Sequence, residues 1–140
     1  MEQLIEDVTR GNVTEVKVML ASVVLALAAY QVLLAGVIYG RLRLPFLTAG
    51  AAGWTHRASG DAILVLTVVI ATMCIGYSGF EDGGAHAVVA TILLAVFAVK
   101  VLAVRLGGRL GRLRPLLGIS LLALFGLTWL TSAGDFLGVS

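Results

Sequence analysis

The stretch that decides the fold spans residues 54–105. It reads WTHRASGDAILVLTVVIATMCIGY (54–77), SGFEDGG (78–84) and AHAVVATILLAVFAVKVLAVR (85–105). Each of the two long segments has roughly the 20 residues that a helix needs to cross a hydrocarbon core of about 30 Å. Because the connection between them is short and acidic, we predict a transmembrane hairpin. This hairpin contains both histidines and the single cysteine of the chain.

The composition of the whole chain indicates an integral membrane protein. Of its 140 residues, 59% are hydrophobic and 13% are charged, whereas a soluble domain has about 25% charged residues. The apolar residues form continuous runs, and a helix that is apolar on all sides faces lipid or protein interior. We therefore predict one membrane domain over residues 1–140, with the lipid bilayer as its surroundings. No basic stripe with interleaved aromatic residues is present, so nucleic-acid binding is not expected.

Four apolar runs predict an all-α fold, a bundle of four transmembrane helices. We place these helices at residues 16–39, 54–77, 84–104 and 116–133. The acidic start of the chain differs from the basic start of a secretory signal, so the first run is expected to be a retained span. Residues 1–11 could form an interfacial helix, and Asn12 and Glu15 have the spacing of a capping box. The connection 44–53 is expected to be a loop.

The charges of the loops predict the orientation of the helices. The first and third connections are basic, while the second connection and the C-terminal end are acidic. These charges are Arg41, Arg43 and Arg57; Arg105, Arg109, Arg112 and Arg114; Glu81 and Asp82; and Asp135. Basic loops stay on the cytoplasmic side of a membrane. Both termini are therefore predicted to lie on the outer side.

Asp61 and Lys100 are the two charges expected to lie inside the membrane. Asp61 is about one turn beyond Arg57, and Lys100 is about one turn before Arg105. The hairpin brings both residues to a similar depth, where a single buried charge is costly. We predict a structural ion pair between them. There are two alternatives. Lys100 could extend to the interface, or the two charges could form a proton or quinone-headgroup site.

The outer end of the hairpin carries two candidate ligands for a haem iron. His86 begins the third span, and a neutral imidazole nitrogen is a common axial ligand. Met73 lies near the outer end of the second span at about the same depth, and its thioether could be the second ligand. Alternatively, His86 could bond to Glu81 or Asp82 at the interface, and Met73 could only fill space.

His56 is a third candidate, at the opposite end of the hairpin. A full span separates it from His86 by about 25–30 Å, so the two cannot hold one haem within one subunit. His56 could belong to a second site, be structural, or meet its symmetry mate in a homodimer. His86 and Lys100 are nearly in phase on one helix and about 21 Å apart. This spacing is similar to the ligand ladder of di-haem cytochromes, with a lysine at the inner position.

The order of several motifs resembles that of a known group of proteins. The motifs are His56-Arg57-x-x-Gly60, Cys74, Gly79-Phe80, His86, Lys100-Val101-Leu102 and Leu127-Thr128-Trp129-Leu130-Thr131-Ser132. Over residues 54–133 they resemble small bacterial four-helix membrane proteins that look related to b-type cytochromes of the cytochrome b561 kind. The resemblance implies a multi-pass protein of the bacterial plasma (inner) membrane that binds haem b. It also implies a histidine directly before Cys74, where this chain has Met73, so the outer ligand pair would be Met73 and His86.

The function that these features favour is electron transfer. A haem near the outer face would pass electrons between membrane quinol and an external redox protein. The alternative is a non-haem structural or assembly subunit that stabilises a larger membrane complex. A channel is disfavoured because four spans with one ion pair offer no evident pathway. An enzyme is not expected, because no nucleophile–base pair is visible.

Overall fold

The fold consists of five helices. The computed structural model describes residues 2–78, 84–106 and 113–138. The helices are α1 (Glu2–Thr9), α2 (Val13–Ile38), α3 (Ala49–Ser78), α4 (Ala85–Leu106) and α5 (Arg114–Leu137). The predicted all-α four-helix bundle is confirmed, with α2 to α5 as the four apolar helices and α1 in the segment predicted to be interfacial.

Helices α2 to α5 are long and apolar enough to cross a membrane. The candidate spans are Val13–Ile38, Ala49–Gly76, Ala85–Leu106 and Arg114–Ala133. The shortest has 20 residues, which corresponds to about 30 Å of helix. Large apolar side chains also cover the outer surface of the bundle, for example Val65, which is 61% exposed, and Val104, which is 55% exposed. The chain is a multi-pass membrane protein with four candidate spans.

The helices do not all pack against their neighbours in sequence. Helix α2 packs against α3 and α5, and α5 packs against α4. Within the described residues, α3 and α4 make no close backbone approach. We call this side of the bundle the α3/α4 seam. The predicted hairpin is therefore held together through α2 and α5, and its two helices are not a closely packed pair.

A core of apolar side chains from all four spans fills the middle of the bundle. Its buried members are Val24, Ala28, Ile63, Leu93, Leu121 and Phe125. Phe97 meets Phe125 edge to face, with ring centroids 6.4 Å apart, a geometry that contributes about 0.5–1.5 kcal/mol. Through Ile63 and Leu93, α3 and α4 both contribute side chains to this core. His56 and His86 lie towards the starts of these two helices, whereas the buried Thr67 lies near the middle of α3.

Helix α3 begins earlier than predicted, at Ala49. Its start is capped by Thr48, whose Oγ1 accepts the N–H of Ala51 at 3.3 Å; such caps stabilise a helix by about 1 kcal/mol. Ala52 is fully buried against α2, because small residues let helices approach closely in membranes. The expectation of a loop through residue 53 was wrong. The segment was predicted to be a loop because it is too short and interrupted to span a membrane, but the Thr48 cap and the packing of Ala52 make its second half the start of α3.

The connection from α1 to α2 is a tight turn. Arg10 and Gly11 both have left-handed backbone conformations, with φ of 52° and 80°. Asn12 is the N-cap of α2, but its side chain makes no capping hydrogen bond. The predicted capping box requires the Asn12 N–H to bond to the Glu15 side chain. That N–H instead donates to the carbonyl oxygen of Thr9 at 3.0 Å, so this prediction was wrong.

Candidate functional site

Two polar clusters lie at opposite ends of the bundle. The start of α3 and the end of α4 lie at one end, which we call the His56 end. The end of α3 and the start of α4 lie at the other, which we call the His86 end. Each histidine therefore belongs to a separate cluster.

At the His86 end, the imidazole is held by α5. The Nδ1 atom of His86 lies 3.1 Å from Oγ1 of Thr131. That hydroxyl also lies 3.0 Å from the carbonyl oxygen of Leu127 and 3.1 Å from that of Thr128. Carbonyl oxygens only accept, so the single hydroxyl hydrogen goes to one of them and the hydroxyl oxygen accepts the Nδ1–H of His86. This arrangement favours the neutral tautomer whose lone pair is on Nε2.

The contact with Thr131 engages one ring nitrogen of His86 and leaves the other outside this hydrogen bond. In metal sites one ring nitrogen of a histidine binds the metal and the other donates to an outer hydrogen-bond partner. The sequence analysis assigned no such role to Thr131, because it is 45 positions from His86 and the packing of α4 on α5 brings them together. The alternative partners, Glu81 and Asp82, lie outside the described residues.

Residues from the two other spans, α2 and α3, also contribute to the His86 end. Lys17 of α2 acts electrostatically on both Cys74 of α3 and His86. Met73 precedes Cys74 and is half-buried. The structure therefore places Met73 and His86 at the same end of the bundle, on the two sides of the α3/α4 seam. Lys17 was not singled out from the sequence, because it lies only one turn into α2, next to the polar start of that helix.

The available side chains limit the kind of metal centre. Within residues 2–78, 84–106 and 113–138, no group of three or more His, Cys, Asp or Glu side chains is arranged to hold a metal ion. A haem iron differs from such centres because it requires only two axial ligands from the protein, and methionine can be one of them.

At the His56 end, a buried glutamine joins α2 to α3. Nε2 of Gln31 donates to the carbonyl oxygen of His56 at 2.6 Å and to Oγ of Ser59 at 2.9 Å. A Cβ atom at Gly60 would lie 3.2 Å from this Nε2, so the glycine permits the close approach. Sequence reasoning missed Gln31, although an amide within a span is a signal of its own because polar groups are costly there.

One ring nitrogen of His56 lacks a hydrogen bond among the described residues. Its Nδ1 atom is buried and has no hydrogen-bond partner in the described part of the chain. Lys100 of α4 acts electrostatically on this ring from across the α3/α4 seam. His56 and Lys100, which were predicted to belong with Asp61 to one inner polar cluster, lie at the same end of the bundle.

Asp61 does not join this cluster. It is exposed, and the described residues include no ion pair between it and Lys100. Asp61 follows His56 by five positions, which is a rotation of about 140° around the helix. Asp61 therefore lies on a different face of α3 from His56, and the predicted ion pair is not among the contacts of the described residues.

Comparison with known proteins adds one match. The sequence profile of a family described as a family of unknown function matches residues 5–140. Comparisons with the curated proteins and with the solved structures find no match.

Proposed function

Because the chain belongs to this family of unknown function, DUF6529, we propose a function from the geometry of its polar clusters. We propose that the protein transfers electrons within the membrane as a b-type cytochrome, with a haem b at the His86 end. The observation that supports this proposal most directly is the contact between His86 and Thr131. It holds the imidazole through Nδ1 and leaves the Nε2 lone pair for an iron atom.

The other residues at this end also suit a haem. A thioether and an imidazole are a known pair of axial ligands, and they raise the reduction potential. Met73 and His86 are carried by α3 and α4, the two helices without a close backbone approach. Met73 and His86 would be the residues that hold a haem between these two helices. The positive charge of Lys17 near this cluster is opposite in sign to the propionate groups of a haem.

Each residue has a defined task in this proposal. A bound haem supplies reversible one-electron chemistry, and the protein supplies ligands, orientation and a water-poor surrounding. Thr131 fixes the tautomer and orientation of His86. The apolar core below the cluster, which includes Leu93 and Phe125, limits access of water from the middle of the bundle.

The orientation in the membrane is part of the same proposal. Basic residues cluster at the His56 end of the described chain, namely Arg41, Arg43, Arg57, Arg105 and Arg114. The positive-inside rule places this end at the cytoplasm and the His86 end outside. Electrons would then pass between a quinol of the membrane and a redox protein on the outer side.

A reduced-minus-oxidised absorption spectrum tests the haem. Protein purified from haem-sufficient cells is expected to show the bands of a b-type cytochrome, and His86→Ala is expected to abolish them. His56→Ala serves as the matched control, because His56 belongs to the other end of the bundle and its loss should leave the bands in place. A folded wild-type protein without haem bands would overturn the proposal.

A structural or assembly role is the second candidate, and one feature favours it. The described polar contacts between spans join neighbouring helices without needing a cofactor. They are Gln31 with His56 and Ser59, Trp129 with Ser22, and His86 with Thr131. In this role the protein would stabilise a larger membrane complex or a homodimer. Haem-free protein that remains folded and co-purifies with such a complex would support this candidate over the first.

A further inference from the structure

Asp61 is a charged residue near the middle of a membrane span, on the outer face of its helix. It is the 13th of the 28 residues of the candidate span Ala49–Gly76. It precedes Ile63, a buried member of the central core, by about 3 Å along the helix axis. The side chain of Asp61 is nevertheless exposed. A carboxylate that faces hydrocarbon at this depth is costly, and charges inside membranes pair with one another. Asp61 therefore needs a partner.

The described residues of the same subunit supply no partner for this carboxylate. They include neither an ion pair nor a hydrogen bond of the Asp61 side chain. Arg57 is also exposed and lies one turn nearer the His56 end of the same face. A pair between them within one helix has the less favourable order, because an acidic residue stabilises a helix better when it precedes its basic partner. The cation that neutralises Asp61 therefore has to come from another molecule.

The outer face of α3 has the spacing of a helix–helix interface. Among the other spans, only α2 makes a close backbone approach to α3 in the part of the chain that the structure describes. On the uncovered face, exposed residues follow one another at alternating intervals of three and four positions, which is the period of a coiled coil. We call them the outer stripe; they are Ala58, Asp61, Val65, Val68, Thr72 and Ile75. Apart from the aspartate they are small or β-branched, and small residues let helices approach closely in membranes.

We propose that a second copy of the chain docks on the outer stripe, with the two α3 helices parallel about a two-fold axis along the membrane normal. Both copies have the same orientation in the membrane, so their stripes lie at equal depth. Arg57 of one copy forms an ion pair with Asp61 of the other, and the symmetry repeats this pair. The two residues are offset by about 6 Å along the axis, a distance that the long side chain of arginine covers.

The charges favour a second copy over lipid as the occupant of this face. A lipid tail would leave the carboxylate of Asp61 in hydrocarbon without a cation. A face that carries one cation and one anion is complementary to itself under two-fold symmetry, as an interface between identical subunits requires. The exposed face of α4 offers no such pair, since its residues near mid-span, such as Ala95 and Val99, carry no charge.

The interface uses no residue of the proposed haem site, and it does not depend on electron transfer. His86→Ala protein, which lacks the proposed iron ligand, is therefore expected to associate as the wild type does. Dimers without haem bands, or haem bands in a monomer, would separate the two proposals.

Charge reversal provides the test. Self-association is measured by energy transfer between donor- and acceptor-labelled copies in phosphatidylcholine vesicles, over a series of protein-to-lipid ratios. Asp61→Arg leaves two cations on the face and Arg57→Asp leaves two anions, so each variant alone is expected to associate about tenfold more weakly, which is about 1.4 kcal/mol. An equimolar mixture of the two variants is expected to restore the transfer, because each copy supplies the charges that the other lacks.

A second pair of variants tests the stripe without changing any charge. Ala58→Leu enlarges a small residue of the outer stripe and is expected to weaken self-association. Ala95→Leu makes the same change at an exposed alanine of α4 and should have no effect. Circular dichroism and thermal unfolding in detergent show that each variant is folded, and this pair remains decisive if a charge-reversal variant does not fold.

Three results would overturn the proposal. The first is wild-type protein that stays monomeric in the vesicles at every protein-to-lipid ratio. The second is equal energy transfer in folded Ala58→Leu and Ala95→Leu, because the dimer then forms through another surface. The third is a mixture of folded Asp61→Arg and Arg57→Asp that transfers no more energy than either variant alone, because the two residues then do not pair between copies.

Discussion

The Nδ1 atom of His86 lies 3.1 Å from the Oγ1 atom of Thr131, and this contact joins α4 to α5 at the end of the bundle that also carries Met73. The threonine hydroxyl bonds to its own helix, so it presents an oxygen lone pair to the imidazole. One side chain thereby links two helices and sets the protonation of a candidate ligand. Removing the Thr131 hydroxyl therefore tests both of these roles while His86 stays in place.

Thr131→Val keeps the shape of the side chain and removes the hydroxyl. We expect haem affinity to fall about 10–100-fold, as is typical when the outer partner of a metal-binding histidine is lost. Haem occupancy is measured by absorption after purification at limiting haem. Thr128→Val is the matched control, because its hydroxyl bonds only to the carbonyl oxygen of Leu124. Equal losses in both variants would show that Thr131 has no specific effect on His86.

Met73→His tests the second ligand. If Met73 binds the iron, the spectrum is expected to become that of a bis-histidine haem and the midpoint potential is expected to fall, since methionine ligation raises it. Potentiometric titration followed by absorption measures both changes. Met73→Leu should remove the methionine ligand without a replacement. If both variants have the wild-type spectrum and potential, Met73 is not a ligand.

Gln31→Leu tests the buried amide that joins α2 to α3. The variant loses two hydrogen bonds, each with a net contribution of about 0.5–1.5 kcal/mol, so we expect a loss of about 1–3 kcal/mol in the free energy of unfolding. Unfolding in detergent, followed by circular dichroism, gives this value. Gln3→Leu in the exposed face of α1 should have little effect. A variant as stable as the wild type would show that these bonds are not needed.

Gly60→Ala and Gly53→Ala form a second matched pair on α3. An added Cβ at Gly53 meets nothing within 4 Å, so the alanine should stabilise the helix by about 0.5–1 kcal/mol. At Gly60 the Cβ would lie 3.2 Å from Nε2 of Gln31 and displace that amide. We expect Gly60→Ala to be the less stable of the two by about 1 kcal/mol or more. Equal stability in thermal unfolding would contradict the close approach.

The proposed topology can be tested with reporter fusions. Alkaline phosphatase fused after residue 140 is expected to be active and a fluorescent protein at the same place dark, because the C-terminus is proposed to lie outside. Fusions in the basic connection after residue 106 should give the opposite pattern, since basic loops stay in the cytoplasm. A fluorescent C-terminal fusion would overturn the assignment of the two membrane faces.

The existence of the four spans could be predicted from the sequence because apolar run length is a local property. Contacts between spans could not be predicted in this way. Gln31 lies in an apolar run without a motif, and its partners on α3 become visible only when the two helices are packed. Thr131 meets His86 because α5 packs on α4. The pairing of Asp61 with Lys100 was inferred from depth alone, and depth leaves open which way a side chain faces around its helix.

The unequal lengths of α3 and α4 have a consequence for the whole membrane. The candidate span in α3 has 28 residues and that in α4 has 22, or about 42 Å and 33 Å of helix. In a hydrocarbon layer of about 30 Å, α3 has to tilt more than α4 or extend farther beyond the layer. Lipid chain length sets the thickness of the hydrocarbon layer, and this thickness therefore affects the tilt of α3 relative to α4. Reconstitution into thin and thick bilayers would change the width of the seam without any change in sequence.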